Sequence, residues 1–174
     1  MAGRVRTIFS AGAGLLGLAV LASGRLSPPA QDQSAIPPLE KTIAVAAEAG
    51  WVDSGIDVGP GDEIRFSASG QINLQRGNPE AVCGPDGLDL ITVEQPVPNQ
   101  NLGALVGKVA QLVARRVDED SGVEIRDEVF VLFFIGQEKT VTVPFSGRLY
   151  LGVNENVLKD NAGAYSVVVV RRRV

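Results

Sequence analysis

Oxygen donors crowd one short stretch near the end of the chain. Asn154, Glu155, Asn156, Asp160 and Asn161 all lie between positions 154 and 163. Each carries a side-chain acceptor, and two are carboxylates at neutral pH. Calcium takes roughly six to eight oxygens from carboxylates, amide side chains, backbone carbonyls and water, so Glu155 and Asp160 would neutralise one such ion. The same composition also suits an ordinary turn, because Asn, Asp and Gly tolerate left-handed backbone angles and cap their own amides. Composition alone favours the turn.

Other chemistry has little material. The chain contains no histidine, which removes the commonest general base and the commonest transition-metal ligand. Neither a Gly-x-Ser-x-Gly elbow nor a glycine-rich phosphate loop is present. A second acidic stretch at 117–128 fails as an EF-hand: with Gly122 in the sixth place and Glu128 in the twelfth, the first place falls on Val117. That stretch reads as an exposed loop or hairpin tip, which also argues against a glycosidase carboxylate pair. The chain is read as a non-enzyme. Cys83 is the sole cysteine, so no intrachain disulfide forms. It has the option of joining two copies, and a homo-oligomer is left open.

The elements that must position the loop read as strands. In 148–153 the apolar residues Leu149, Leu151 and Val153 fall two apart and share one face. The return run, 164–170, is β-branched and apolar. Earlier, 63–69 alternates Ile64, Phe66 and Ala68 against Glu63, Arg65, Ser67 and Ser69, the pattern of a strand buried on one face. Short apolar runs at 42–47, 51–58, 102–113, 129–135 and 140–143 are separated by turns such as Gly59-Pro60-Gly61-Asp62 and Gly84-Pro85-Asp86-Gly87. The segment 71–80 reads as loop, and 88–97 follows no clean period. Many short strands without a long amphipathic helix imply an all-β sandwich whose first strands pair with its last. The run 167–170 would be hazardous as an open edge, so it is expected inside, with Arg171 to Arg173 as charged gatekeepers.

With 174 residues, 45% of them hydrophobic and 21% charged, one domain with a sizeable core is expected. Residues 1–24 have the pattern of a signal peptide: Arg4 and Arg6, an apolar run over 8–22, then small residues Ala22, Ser23 and Gly24. An uncleaved anchor is the rival reading, although the run falls short of the roughly 20 residues a spanning helix needs. Residues 25–38 form a Pro-rich linker and 39–174 the folded domain, secreted, periplasmic or at the cell surface, with no membrane span once the signal is cleaved. The formal charge is -4, and losing Arg4 and Arg6 makes it two units more negative. Nucleic acid is excluded as a partner on that charge.

Taken in order, Trp51-Val52-Asp53-Ser54-Gly55-Ile56, Gly61-Asp62, Ser69-Gly70, Gly84-Pro85-Asp86-Gly87, Gly103-Ala104-Leu105-Val106, Gly147-Arg148-Leu149-Tyr150-Leu151, Asn154-Glu155 and Asp160-Asn161-Ala162-Gly163 resemble the PA-IL-type bacterial lectins, which bind galactose through calcium. The resemblance spans roughly 42–171 of this sequence and implies a small jelly-roll-like β-sandwich. It further implies one calcium in the last long loop, held by Glu155, Asp160 and Asn161, by a carbonyl near Val157 or Leu158, and by a carbonyl near Leu74. A galactoside-like carbohydrate would then meet Glu155, Asn156 and Asp160. Two departures stand out. Glu155 occupies a place the family gives to Asp, moving the carboxylate by roughly 1.5 Å. Residues 88–98 contain no His where the family uses a His and a Gln, so Gln95 is the one amide there. Trp51 could stack on a sugar, but its place at the start of a strand favours core or rim packing, while Tyr150 and Tyr165 are placed either at the loop's mouth or as ordinary strand aromatics. The alternative function is a calcium-stabilised structural or protein-interaction domain without sugar affinity.

Overall fold

The computed structural model describes residues 38–92, 95–119 and 122–173. The chain divides into Met1–Ser34 and Ala35–Val174, and the expected signal peptide and nearly all of the linker lie outside the described residues. Among the described residues nine strands follow in order: β1 Leu39–Ala46, β2 Val52–Val58, β3 Glu63–Asn73, β4 Val82–Cys83, β5 Leu105–Val117, β6 Glu124–Phe134, β7 Glu138–Thr142, β8 Gly147–Val153 and β9 Ala162–Arg172. A 3-10 turn, Pro79–Ala81, precedes β4, with Asn78 as its cap. The fold is an all-β sandwich of two antiparallel sheets, as expected.

One sheet runs β1-β9-β3-β4, with β7 also on β3; the other runs β2-β8-β5-β6. β3 shows why the chain folds this way. Its even-numbered side chains Ile64, Phe66, Ala68 and Ile72 are buried and its odd-numbered neighbours are exposed, so one face supplies core and the other meets water. Each fully buried Ile, Leu, Val or Phe contributes about 1.5–3 kcal/mol. Ile56 of β2, Leu149 and Leu151 of β8, and Val167 and Val169 of β9 complete the same core. Phe66 meets Phe133 at 5.9 Å between ring centres, joining the two sheets.

β9 lies between β1 and β3, so the apolar run 167–170 has no open edge and the first strand does pair with the last. Arg171 donates to the Asp57 carbonyl and ties β9 to the opposite sheet. At β2 a bulge between Asp53 and Ile56 shifts the register against β8. Ser54 fills it: its Oγ donates to the Leu149 carbonyl at 2.6 Å and accepts from the Ile56 N–H at 3.1 Å. Outside the bulge, Arg148 forks between Asp53 and Asp57. Its hydrogen bonds hold the Asp53 carboxyl below the usual carboxylate range. A depressed acid stabilises the fold above its unfolded pKa and loses that contribution as pH falls through the folded one. The half-exposed geometry keeps the effect small.

Of the two readings of the acidic segment 117–128, loop or hairpin tip, the structure shows the hairpin tip. β5 continues to Val117 and β6 begins at Glu124, so most of that segment is a hairpin extending past the core. Arg115, Arg116 and Arg126 pair there with Glu124 and Asp127. Ion pairs, two across the strands (Arg115–Glu124 and Arg116–Asp127) and one along β6 (Arg126–Glu124), take the place of alternation, which is why the apolar period vanishes in this part of the sequence.

Candidate functional site

Strand register places the acceptor-rich loop. β8 delivers Val153 and β9 resumes at Ala162. In the β3–β9 ladder Asn73 faces Ala162, so the next residues along, Leu74 and Asn161, sit across from each other. The Arg76 N–H donates to the Asp160 carbonyl at 2.7 Å. Its guanidinium donates to the Asn161 carbonyl at 2.9 Å and reaches Glu48 at 3.5 Å. The 71–80 segment is thereby fastened to the loop's C-terminal end.

Asn161 is the best-held residue of the loop. It is fully buried, its N–H donates to the Leu158 carbonyl at 3.2 Å, and its Nδ2 donates to the Ala47 carbonyl at 3.1 Å. Its Oδ1 is buried with no hydrogen-bond partner. Leaving a buried acceptor unsatisfied costs about 1–3 kcal/mol, and such groups in native proteins call for an explanation. An amide oxygen pinned in place one residue after the exposed Asp160 is a ready ligand for a hard cation.

The loop's N-terminal end has different neighbours. Asn154, counted among the loop's oxygen acceptors, is fully buried. Its Oδ1 accepts from the Val97 N–H at 2.8 Å, and its Nδ2 donates to the Val97 and Asn101 carbonyls at 3.1 Å each. One side chain thus fixes the segment before β5, where the sequence offers no period. Glu155 turns Oε1 back to accept from the Asn156 and Val157 N–H groups at 3.0 Å each. Glu155, Asn156 and Leu158 then line a cleft of about 200 Å³ together with Gly50, Trp51, Pro96, Gly152 and Val153.

The expected ligands therefore divide. Leu74, Asp160 and Asn161 gather at the 71–80 segment, whereas Glu155, Asn156 and Leu158 face the cleft and Val157 is exposed. Among the described residues no three His, Cys, Asp or Glu side chains converge. A cation here would be held by one or two carboxylates with amide and backbone oxygens, a donor set that fits calcium and not a soft metal. Gln95, expected to meet ligand, is buried and donates Nε2 to the Gln100 carbonyl at 2.6 Å. It braces its own segment, leaving Oε1 buried and unpartnered.

The aromatics also sort themselves. Tyr165 is fully buried. Its hydroxyl lies 2.7 Å from the Gly84 carbonyl and 2.9 Å from that of Gly103, so it knits two turns together and does not line the loop. Burial pushes its pKa far up. Cys83 is buried 3.5 Å from that hydroxyl. A buried thiol cannot join two copies without local opening, and burial raises its pKa. Raised pKa means less thiolate, so Cys83 should resist iodoacetamide at neutral pH in the native protein and react on denaturation, as read by intact mass. Rapid native labelling would contradict this packing. Trp51, expected as core or rim packing with sugar stacking as the alternative, is half-buried at the rim of the cleft.

Comparison with known proteins follows the fold. No family model matches the chain, and no curated protein matches it. Among solved structures, the protein is similar to the EclA N-terminal domain, described as a PllA-like lectin. The identity is 24% and the TM-score 0.50, covering 75% of this chain and 95% of that domain. The extra small virus particle of the giant freshwater prawn Macrobrachium rosenbergii, at 12% identity and TM-score 0.21 over 95% of this chain and 94% of that one, carries no argument. What the protein shares with the EclA domain is its fold.

Proposed function

We propose that the domain is an exported carbohydrate-binding module that uses calcium in the 154–163 loop to take up sugar hydroxyls. The observation that carries the reading is the buried, unpartnered Asn161 Oδ1. A fold like that of a lectin domain supports it. In this reading Asn161 and Asp160 hold the ion with the Leu74 carbonyl and further backbone oxygens of the loop, of which those of Val157 or Leu158 are the candidates, while Glu155, turned to the cleft, is free to take sugar hydroxyls. Calcium, when bound, accepts hydroxyl oxygens in exchange for water. The chain's own residues supply the rest. Asn161 is pre-positioned by Ala47, Arg76 keeps the loop closed on the 71–80 segment, and Asn156 offers a donor and an acceptor at the rim. A vicinal diol of a galactoside-like sugar suits that arrangement.

The test is retention of the protein on immobilised galactose, mannose and fucose, with calcium and with chelator. Calcium-dependent retention is expected on at least one resin and should be lost in Asp160→Ala. Equal retention with chelator would sink the metal-dependent part of the reading.

A second reading, a protein-interaction sandwich, is favoured by the edge of β6. Among the described residues β6 pairs only with β5, and Val129 and Phe130 are 54% and 55% exposed. Such an edge can accept another strand. If this reading holds, Phe130→Lys should abolish self-association in sedimentation while leaving calcium binding unchanged.

A further inference from the structure

We propose that the cleft between Trp51 and the start of the loop is a separate saccharide subsite, in which Trp51 and Pro96 receive the apolar face of one neutral sugar ring while Glu155 and Asn156 take its hydroxyls. This rests on the reading that the loop binds carbohydrate, and it adds a second contact region and a preference for neutral rings.

The architecture of the cleft follows from the outer face of the β2-β8-β5-β6 sheet. Val52 pairs with Leu151, which puts Trp51 over Gly152. A side chain at 152 would collide with the indole, since a Cβ there would lie 3.0 Å from the ring. The Lys108 ammonium sits 5.2 Å from the Trp51 ring centre and 4.9 Å from that of Tyr150, an attraction that restrains both rings. A half-exposed indole held this way is a poor core residue and a good platform. Tryptophan pairs an apolar face with a polar N–H, and it is favoured at interfaces for that reason.

The polar side is equally prepared. Glu155 Oε1 is fixed by the Asn156 and Val157 N–H groups, which leaves Oε2 without a protein donor among the described residues. Asn156 is exposed at the rim. Among the described residues the one charged side chain lining the cleft is Glu155, and the Lys108 ammonium is engaged by the Trp51 and Tyr150 rings, so a carboxylate-bearing sugar would meet the Glu155 carboxylate directly. The volume of about 200 Å³ falls below the roughly 300–1,000 Å³ of sites for drug-sized ligands. It suits one ring and not an oligosaccharide.

Trp51 is the only tryptophan, so its emission reports on this cleft alone. The full chain, loaded with calcium, is titrated with methyl galactoside, methyl mannoside and methyl fucoside, with lactose and mannobiose, and with glucuronic acid, following heat and tryptophan emission. A neutral disaccharide should shift the emission to the blue and bind roughly tenfold tighter than its monosaccharide. Trp51→Ala should remove that advantage, Trp51→Phe should keep most of it, and calcium heat should be unchanged in both. Glucuronic acid should give no emission change.

Unchanged emission at saturating sugar, or a Trp51→Ala protein that binds disaccharides as the parent does, would overturn the subsite while leaving the loop reading intact. No binding of any sugar by the parent, with calcium heat present or absent, would overturn both.

Discussion

Phe66→Ala is expected to lower the unfolding free energy by about 3–5 kcal/mol. Phe66 is fully buried on β3, the strand that pairs with β9, β7 and β4. Its ring meets Phe133 from the opposite sheet, so truncation opens a void between layers that neither sheet can close alone. Domains of this size are stable by only about 5–15 kcal/mol, and the variant should unfold at markedly lower urea with an unchanged slope. Phe66→Leu should recover most of the loss. A midpoint for Phe66→Ala within experimental error of the parent would mean that the sheets do not pack as described.

Gly163→Ala should cost about 2–4 kcal/mol, and it should also weaken whatever the loop binds. Gly163 has a φ of 90°, a region that residues with a Cβ rarely occupy. A Cβ there would lie 2.6 Å from the Gln71 carbonyl, which is backbone and cannot turn aside. The strain falls where β9 leaves the loop, next to Asn161 and opposite the β3 end that carries Leu74. Relief of the clash would part the two segments that Arg76 joins. Urea denaturation reads the first effect, and calcium titration of the folded variant reads the second. A stable variant with full calcium affinity would show that this joint is not what positions the loop.

Much of the scaffold was legible because burial on one face leaves a period of two. The stretch around Ile64, Phe66 and Ala68 declares its strand at once, and Leu149, Leu151 and Val153 declare the strand that enters the loop. Where both faces meet water, as in the β5–β6 extension, charge pairing replaces the period and the segment reads as a loop or hairpin tip. Residues 88–97 hide for another reason. Their order comes from distant groups, Asn154 clasping Val97 and Asn101 and the Leu88–Leu102 bridge, and no local pattern encodes a long-range clasp.

The loop itself was visible as a concentration of acceptors, but its division was not. Nothing in the spacing tells that Asn154 turns inward, that Asn161 keeps a free oxygen, or that Glu155 faces Trp51. The position of Trp51 at a strand start favours core or rim packing over stacking on a sugar, and composition alone does not choose between a rim and a cleft wall. The signal available was Gly152, the small residue that the pairing with β8 sets beneath the indole. Seeing it requires the register of the bulged β2, which Ser54 and Gly55 conceal.

The most direct measurement is calorimetric titration of the chelator-treated full chain with calcium, run in parallel on Asn161→Leu and Asp160→Ala. The account predicts one ion per chain in the parent and an affinity at least roughly tenfold weaker in both variants, each keeping its far-ultraviolet spectrum. At calcium about 100-fold above the dissociation constant, linkage adds about 2.7 kcal/mol of stability, so the parent's melting point should rise by several degrees and fall back with chelator. An absence of calcium heat in the parent, with a melting point indifferent to chelator, would contradict the central claim and leave a sandwich whose loop is held by its protein hydrogen bonds from Arg76, Asn154 and Asn161.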